Sequence, residues 1–134
     1  MFVDASAMVA IIAREPGSDA LLDRFDNATV RLTSAVAVLE TVMALRRLGG
    51  GTVEQAEQLV RQFLKDAVIE EIPISTEESA AAIRAYARYG KGQGHPAQLN
   101  LGDCFAYACA QTHGVPLLFV GNDFLRTDIL SALP

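Results

Sequence analysis

Nothing in this sequence approaches the run of about 18 apolar residues that a membrane-spanning helix needs. The start, Met1 to Ala13, is apolar, but Asp4 interrupts it and no basic segment precedes it, so a signal peptide is not expected. Positive charge is scarce: 11 Lys and Arg stand against 16 Asp and Glu, a net charge of −5. That balance argues against a non-specific nucleic-acid coat protein, whose affinity comes mainly from phosphate contacts. It leaves room for an acidic metal site that handles phosphates, because bound cations cancel part of the charge. There are only two cysteines, Cys104 and Cys109. Five residues apart on one helix, their Cα atoms are separated by roughly 8 Å, too far for a disulfide. They read as buried small hydrophobes or free thiols, and a cytoplasmic location fits. The two histidines, His95 and His113, have no partner at metal-ligand spacing and read as structural or solvated. A P-loop is missing, since Gly49-Gly50-Gly51 is not followed by Lys-Ser or Lys-Thr at the required spacing.

What is present is a core. Of the 134 residues, 51% are hydrophobic, enough for one domain over residues 1–134 without linker or repeat. Met1 to Asp4 reads as a strand with the acid at its carboxyl end. A helix from Ala7 to Arg14 follows, stopped by Glu15-Pro16-Gly17, and Ser18 is placed to cap a second helix ending at Asn27. Thr29 to Thr33 is the next strand. Ser34 opens a helix that runs to the glycines at 49–51, and Thr52 caps another. There Val53, Ala56, Leu59, Val60, Phe63 and Leu64 form an apolar stripe. These two helices make a hairpin, a candidate arm or dimer surface. Val68 to Ile74 is a third strand, near an edge because of Pro73. Ser75 with Glu78 forms a capping box for a helix through Tyr89. Residues 90–98, rich in glycine, read as the one loose segment. A helix ending at His113-Gly114 and a strand from Val115 to Val120 complete the alternation, with a short helix or strand in the tail. Strands alternating with helices imply a parallel sheet covered on both faces.

Acids stand out in this pattern. Asp4 and Asp123 fall at the carboxyl ends of strands, where sites in such sheets form. Glu40 lies beside the apolar stripe of its helix. Asp103 occupies the first turn of a helix rich in small residues. Each has a plain alternative: Asp4 and Asp103 as helix caps, Glu40 as an exposed charge, Asp123 as an Asx turn. Carboxylates gathered in one cleft repel each other unless a hard cation sits among them, and magnesium or manganese fits that need. Arg46, Arg47, Arg61, Lys65, Arg84, Arg88 and Lys91 are available for an RNA track, but nothing in their spacing gathers them on one face.

Four stretches carry a resemblance. They are Phe2-Val3-Asp4-Ala5-Ser6-Ala7, Val38-Leu39-Glu40-Thr41, Leu99 to Ala108, and Val120-Gly121-Asn122-Asp123-Phe124 with Thr127-Asp128. Together they resemble the PIN-domain nucleases, and among them the VapC-type toxins of bacterial toxin–antitoxin pairs. The resemblance implies a three-layer α/β/α domain around a mainly parallel sheet. It implies that Asp4, Glu40, Asp103 and Asp123 form an acidic quartet binding Mg2+ or Mn2+, with Asp128 a weaker addition, either to the metal shell or as the partner of a cation such as Arg126. Ser6 would hydrogen-bond within the site, and Asn122 is a further, weaker substrate-binding candidate. The implied activity is endonucleolytic cleavage of RNA by an activated water, leaving a 5′-phosphate and a 3′-hydroxyl. The implied partners are a small VapB-type antitoxin, which places a side chain, often Arg, among the acids, and a second copy of the toxin. Two alternatives stand beside this reading. One is a phosphoryl-transfer domain of phosphatase or receiver type, against which Ser6 counts, since a phosphatase would want a second Asp there. The other is a catalytically inert PIN-like interaction domain.

Overall fold

A computed structural model describes residues 1–49 and 51–134, so the middle of the triple-glycine turn, Gly50, lies outside the described residues. Four short strands form one parallel sheet in the order β3-β2-β1-β4. They are β1 (Phe2–Val3), β2 (Leu32–Ser34), β3 (Glu70–Ile72) and β4 (Leu117–Leu118). Phe2 is registered against Leu32 on one side and Leu117 on the other. Among the described residues, six helices connect them: α1 (Ala5–Ile12), α2 (Ser18–Asn27), α3 (Ala35–Gly49), α4 (Val53–Asp66), α5 (Thr76–Tyr89) and α6 (Leu101–Thr112).

Two apolar clusters cover the two faces. Val3 and Leu118 point into one with α1 to α4, through Met8, Leu21, Val38 and Val60. Phe2 and Leu117 point into the other with α5 and α6, through Ala82, Tyr89, Ala106 and Cys109. Alternate strand residues thus face opposite helical layers, as the period of a strand requires. This is the three-layer arrangement expected from the alternation.

Several boundaries differ from the expectation for local reasons. Helix α1 begins at Ala5 rather than Ala7, because Asp4 caps it. Ser18 does not cap α2; Gly17, at φ 90°, takes that place and no side-chain cap forms. Strand β2 sits later than Thr29–Thr33, where the Leu32 amide donates to the Met1 carbonyl. The residue before it is pinned instead by its own side chain: the Arg31 guanidinium donates to the carbonyls of Phe25 and Ala67. The α4 stripe is narrower than expected. Ala56, Val60 and Leu64 are buried, while Val53 and Leu59 face outward. The capping boxes at Thr52 and at Ser75 with Glu78 both form.

The glycine-rich segment is not loose. Gly90 bridges Leu99, Ala97 and Leu99 are buried, and the His95 ring packs edge-on against Tyr89 at 4.9 Å. The tail after Asp123 forms no helix; it returns to bridge Leu117 through Ser131, beside β4. No helix among the described residues is long and apolar enough to cross a membrane.

Candidate active site

The strand order reverses beside β1, with β2 on one side and β4, the last strand in the chain, on the other. In an open parallel sheet the crevice forms at such a point, outside the carboxyl ends. Asp4 directly follows β1 and is 5% exposed. Its Oδ2 accepts from the Ser6 amide at 3.0 Å and the Ser6 hydroxyl at 2.5 Å. The Ser6 Oγ in turn accepts from the Val120 amide at 3.0 Å, tying the β1–α1 turn to the chain leaving β4.

Asp103 is brought to the same edge by the direction of its helix. Helix α6 leads into β4, so it must begin at the carboxyl edge of a parallel sheet. Asp103 is both a cap and a wall of the cleft. One carboxylate oxygen, Oδ2, accepts from the Asn100 amide, and the Asp103 amide donates to Asn100 Oδ1, each at 2.9 Å. The other oxygen makes no hydrogen bond among the described residues. Glu40 reaches across from α3 onto the first turn of α6. A Cβ at Gly102 would overlap the Glu40 carboxylate, so glycine leaves the space that the acid occupies. Asp123 stands in the turn after β4, and its neighbour Phe124 anchors that turn by packing against Phe119 at 5.0 Å.

These four acids and Ser6 line one cleft of about 390 Å³. Burial is the largest influence on three of them. It raises the Asp4 carboxyl, with Asp123 adding to the effect and the Ser6 hydrogen bonds opposing it. It pushes Glu40 up to about 7, helped by Asp4 and Asp103. It pushes Asp103 up to about 6 despite the Asn100 amide, with Asp4 and Asp123 contributing. The cleft therefore concentrates negative charge that protein groups leave largely uncompensated. Its donors are hard carboxylate oxygens, the set that magnesium and manganese prefer. Among the described residues, no three acids, histidines or cysteines are already arranged to hold one ion, so the acids share an open cleft rather than a closed cage.

A PIN-domain model matches residues 1–130. The chain belongs to the PIN-domain family. A VapC ribonuclease of Rhizobium meliloti is 41% identical over 139 residues, covering 96% of this chain and 98% of the relative. Ribonuclease VapC42 of Mycobacterium tuberculosis is 39% identical over 132 residues, 98% of each chain. These relatives place the chain in the VapC ribonuclease branch. In fold, it is similar to the crystal structure of M. tuberculosis VapC20, titled a sarcin–ricin loop cleaving toxin, with a TM-score of 0.75 at 20% identity over 99% of this chain and 98% of that one. A toxin–antitoxin complex from Klebsiella pneumoniae gives a TM-score of 0.67 at 18% identity over 92% and 88%. Membership of the PIN family implies a divalent metal ion.

For a VapC-branch protein, other residues fall outside the expected site. Asp128 is not a cleft residue. Its carboxylate accepts from the Tyr107 hydroxyl at 2.6 Å and pairs with Arg88 at 2.8 Å, not with Arg126. Those contacts hold its carboxyl below the usual range. Asn122 is exposed in the same turn as Asp123 but is not among the residues that line the cleft. The His95 ring nitrogen accepts from the Ala97 amide, and His113 lies 3.4 Å from the buried Glu78. Cys104 and Cys109 are buried and free; burial pushes the Cys109 thiol up to about 11, so neither is a ready thiolate. The basic residues are dispersed: Arg61 pairs with Glu57 and Glu71, Arg88 with Asp128. Glu15, Arg47 and Asn100 also line this PIN cleft, and Gly102 lies against Glu40. Asn100-x-x-Asp103 is a readable capping-box spacing. Arg47 falls seven residues after Glu40, on the same helical face.

Proposed function

We propose that this chain is a metal-dependent endoribonuclease, the toxin of a toxin–antitoxin pair, in which Asp4, Glu40, Asp103 and Asp123 hold Mg2+ or Mn2+. The observation that supports it most is the shared cleft of these four acids at the sheet's reversal point. The fit to a hard cation rests on the chain itself. Burial raises Asp4, Glu40 and Asp103, Gly102 leaves space for Glu40, and Asp103 keeps one oxygen free. When bound, the divalent cation supplies activation of water and neutralisation of charge on the phosphoryl group. Ser6 orients Asp4 by donating two hydrogen bonds to one oxygen, leaving the other side of that carboxylate for the cleft. Asn100 fixes the rotamer of Asp103 through a reciprocal pair: its backbone amide donates to the Asp103 carboxylate and its side-chain oxygen accepts from the Asp103 amide. Asp123 comes from the far wall, on a turn seated by Phe124. Asn122, exposed beside Asp123, is at most an outer contact for RNA.

The proposed partners are an RNA substrate, a VapB-type antitoxin and a second copy of the chain. Exposed apolar side chains on α3 and α4 (Leu39, Met43, Leu59) and beside α6 (Ile83, Tyr86, Leu101) support protein partners. No observation favours a phosphoryl-transfer domain, since Ser6 is committed to Asp4 and Val120.

The test is calorimetric titration with magnesium and with manganese, together with RNA cleavage, on the parent and on Asp103→Asn. Binding and cleavage by the parent are expected, with both lost in a variant that stays folded by circular dichroism. Cleavage by Asp103→Asn at the parental rate would overturn the quartet.

A further inference from the structure

The cleft carries a charge problem that its acids do not solve. Five acids line it, Asp4, Glu15, Glu40, Asp103 and Asp123, and Arg47 is the only cation among the described lining residues. Arg47 forms no ion pair there and is exposed. Three other basic side chains are spent elsewhere: Arg31 on two backbone carbonyls, Arg61 on Glu57 and Glu71, Arg88 on Asp128. Arg47 shares a helix face with Glu40 and Ala44, which also line the cleft. Seven residues of helix put its Cα about 10 Å beyond that of Glu40. No carboxylate of the described residues comes within ion-pair distance of its guanidinium, so the arginine lines the cleft without being neutralised by its acids.

We infer that Arg47 is an RNA-binding residue that receives a phosphate flanking the scissile one. This rests on the nuclease reading above. A polyanion entering a cleft of five acids needs a cation outside the metal position to set its register. The arginine fork suits phosphate in particular, because it donates two parallel hydrogen bonds. Arg46, its neighbour, faces the α3–α4 side instead, beside Thr52 and Gln55, and serves as the control.

The experiment compares the parent, Arg47→Ala, Arg47→Lys and Arg46→Ala. Cleavage is followed on bulk bacterial RNA. Binding of a fluorescein-labelled, unstructured 12-nucleotide RNA is followed by anisotropy across a salt series, with each protein also carrying Asp103→Asn so that the probe stays intact. Arg47→Ala is expected to raise KM about tenfold with kcat little changed, the mark of a lost ground-state contact. The slope of log K against log salt should fall by about 0.7, the value for one phosphate on a single strand. Arg47→Lys should keep the slope and lose part of the affinity. Arg46→Ala should match the parent in both. Calorimetry checks the rival role, in which Arg47 only balances the acids: magnesium affinity that changes in Arg47→Ala while the salt slope stays parental overturns the inference. A parent that binds and cuts RNA, with an Arg47→Ala slope equal to its own, overturns it alone. A parent that neither binds nor cuts RNA overturns it together with the nuclease reading.

Discussion

Gly102 sits in the first turn of α6, where an alanine would ordinarily raise helix stability by up to about 1 kcal/mol. Here the added methyl group meets the Glu40 carboxylate. Propensity and overlap oppose each other, and because the atoms met are the far end of a flexible side chain, the helix keeps its turn while the Glu40 carboxylate must shift from its place in the cleft. Gly102→Ala is expected to lower metal affinity about tenfold or more, the usual scale for disturbing the support of a ligand. Combining it with Glu40→Ala should restore the melting temperature at least to that of Glu40→Ala alone. A Gly102→Ala protein with parental magnesium affinity by calorimetry would show that Glu40 is free to move. The same pair marks what sequence reading reached and missed at this scale. Asp4, Glu40, Asp103 and Asp123 were legible as candidates because each sits where an apolar segment begins or ends or lies beside an apolar stripe. The role of Gly102 was not, because its constraint comes from a side chain 62 positions earlier in the chain. Asp128 does pair with a cation, but its partner is hidden for the same reason: Arg88 is 40 positions away, whereas Arg126 is close in sequence only.

Local signals served α4 and α5, though not α2, where Ser18 does not cap, and elements defined by distant partners were missed. The capping boxes of α4 and α5 lie within four consecutive residues and are present. Residues 90–98 look loose because their anchors, Tyr89 against His95 and Gly90 against Leu99, are invisible to composition. The turn after β4 is a similar case. It has no regular structure of its own, yet Phe124 seats one end and the Asp128 contacts with Tyr107 and Arg88 fasten the other. Removing the hydroxyl with Tyr107→Phe should cost about 1 kcal/mol, below the usual range for a hydrogen bond to a charged partner because Asp128 is half exposed. Amide exchange should quicken from Asn122 to Leu130 while α5 stays unchanged. Exchange that quickens evenly throughout would mean that Tyr107 stabilises the core and not this segment.

For the whole molecule, the acidic cleft sets a pH dependence. Glu40 and Asp103 titrate higher in the folded chain than in the unfolded one, so the folded state holds more protons between pH 4 and pH 7. Stability then falls as pH rises across that window. The contribution is fully present below about pH 4 and is lost as pH passes about 6 for Asp103 and about 7 for Glu40. Without metal, the melting temperature should therefore be higher at pH 5 than at pH 8. Saturating magnesium should reverse or flatten that trend, because the ion favours the deprotonated acids. A metal-free melting temperature that rises from pH 5 to pH 8 would contradict the placement of these two acids.

The position of β4 has a consequence for synthesis. Asp4 is made first, yet its Ser6 partner accepts from Val120, and the cleft wall opposite is Asp123. Strand β1 cannot gain its second neighbour until Leu117 and Leu118 exist, and Ser131 must follow to bridge Leu117. Chains fold from the N-terminal side during translation. A growing polypeptide thus carries three of its four acids while the cleft still lacks a wall. Cutting power would arrive only once the last segment of the site has emerged from the ribosome.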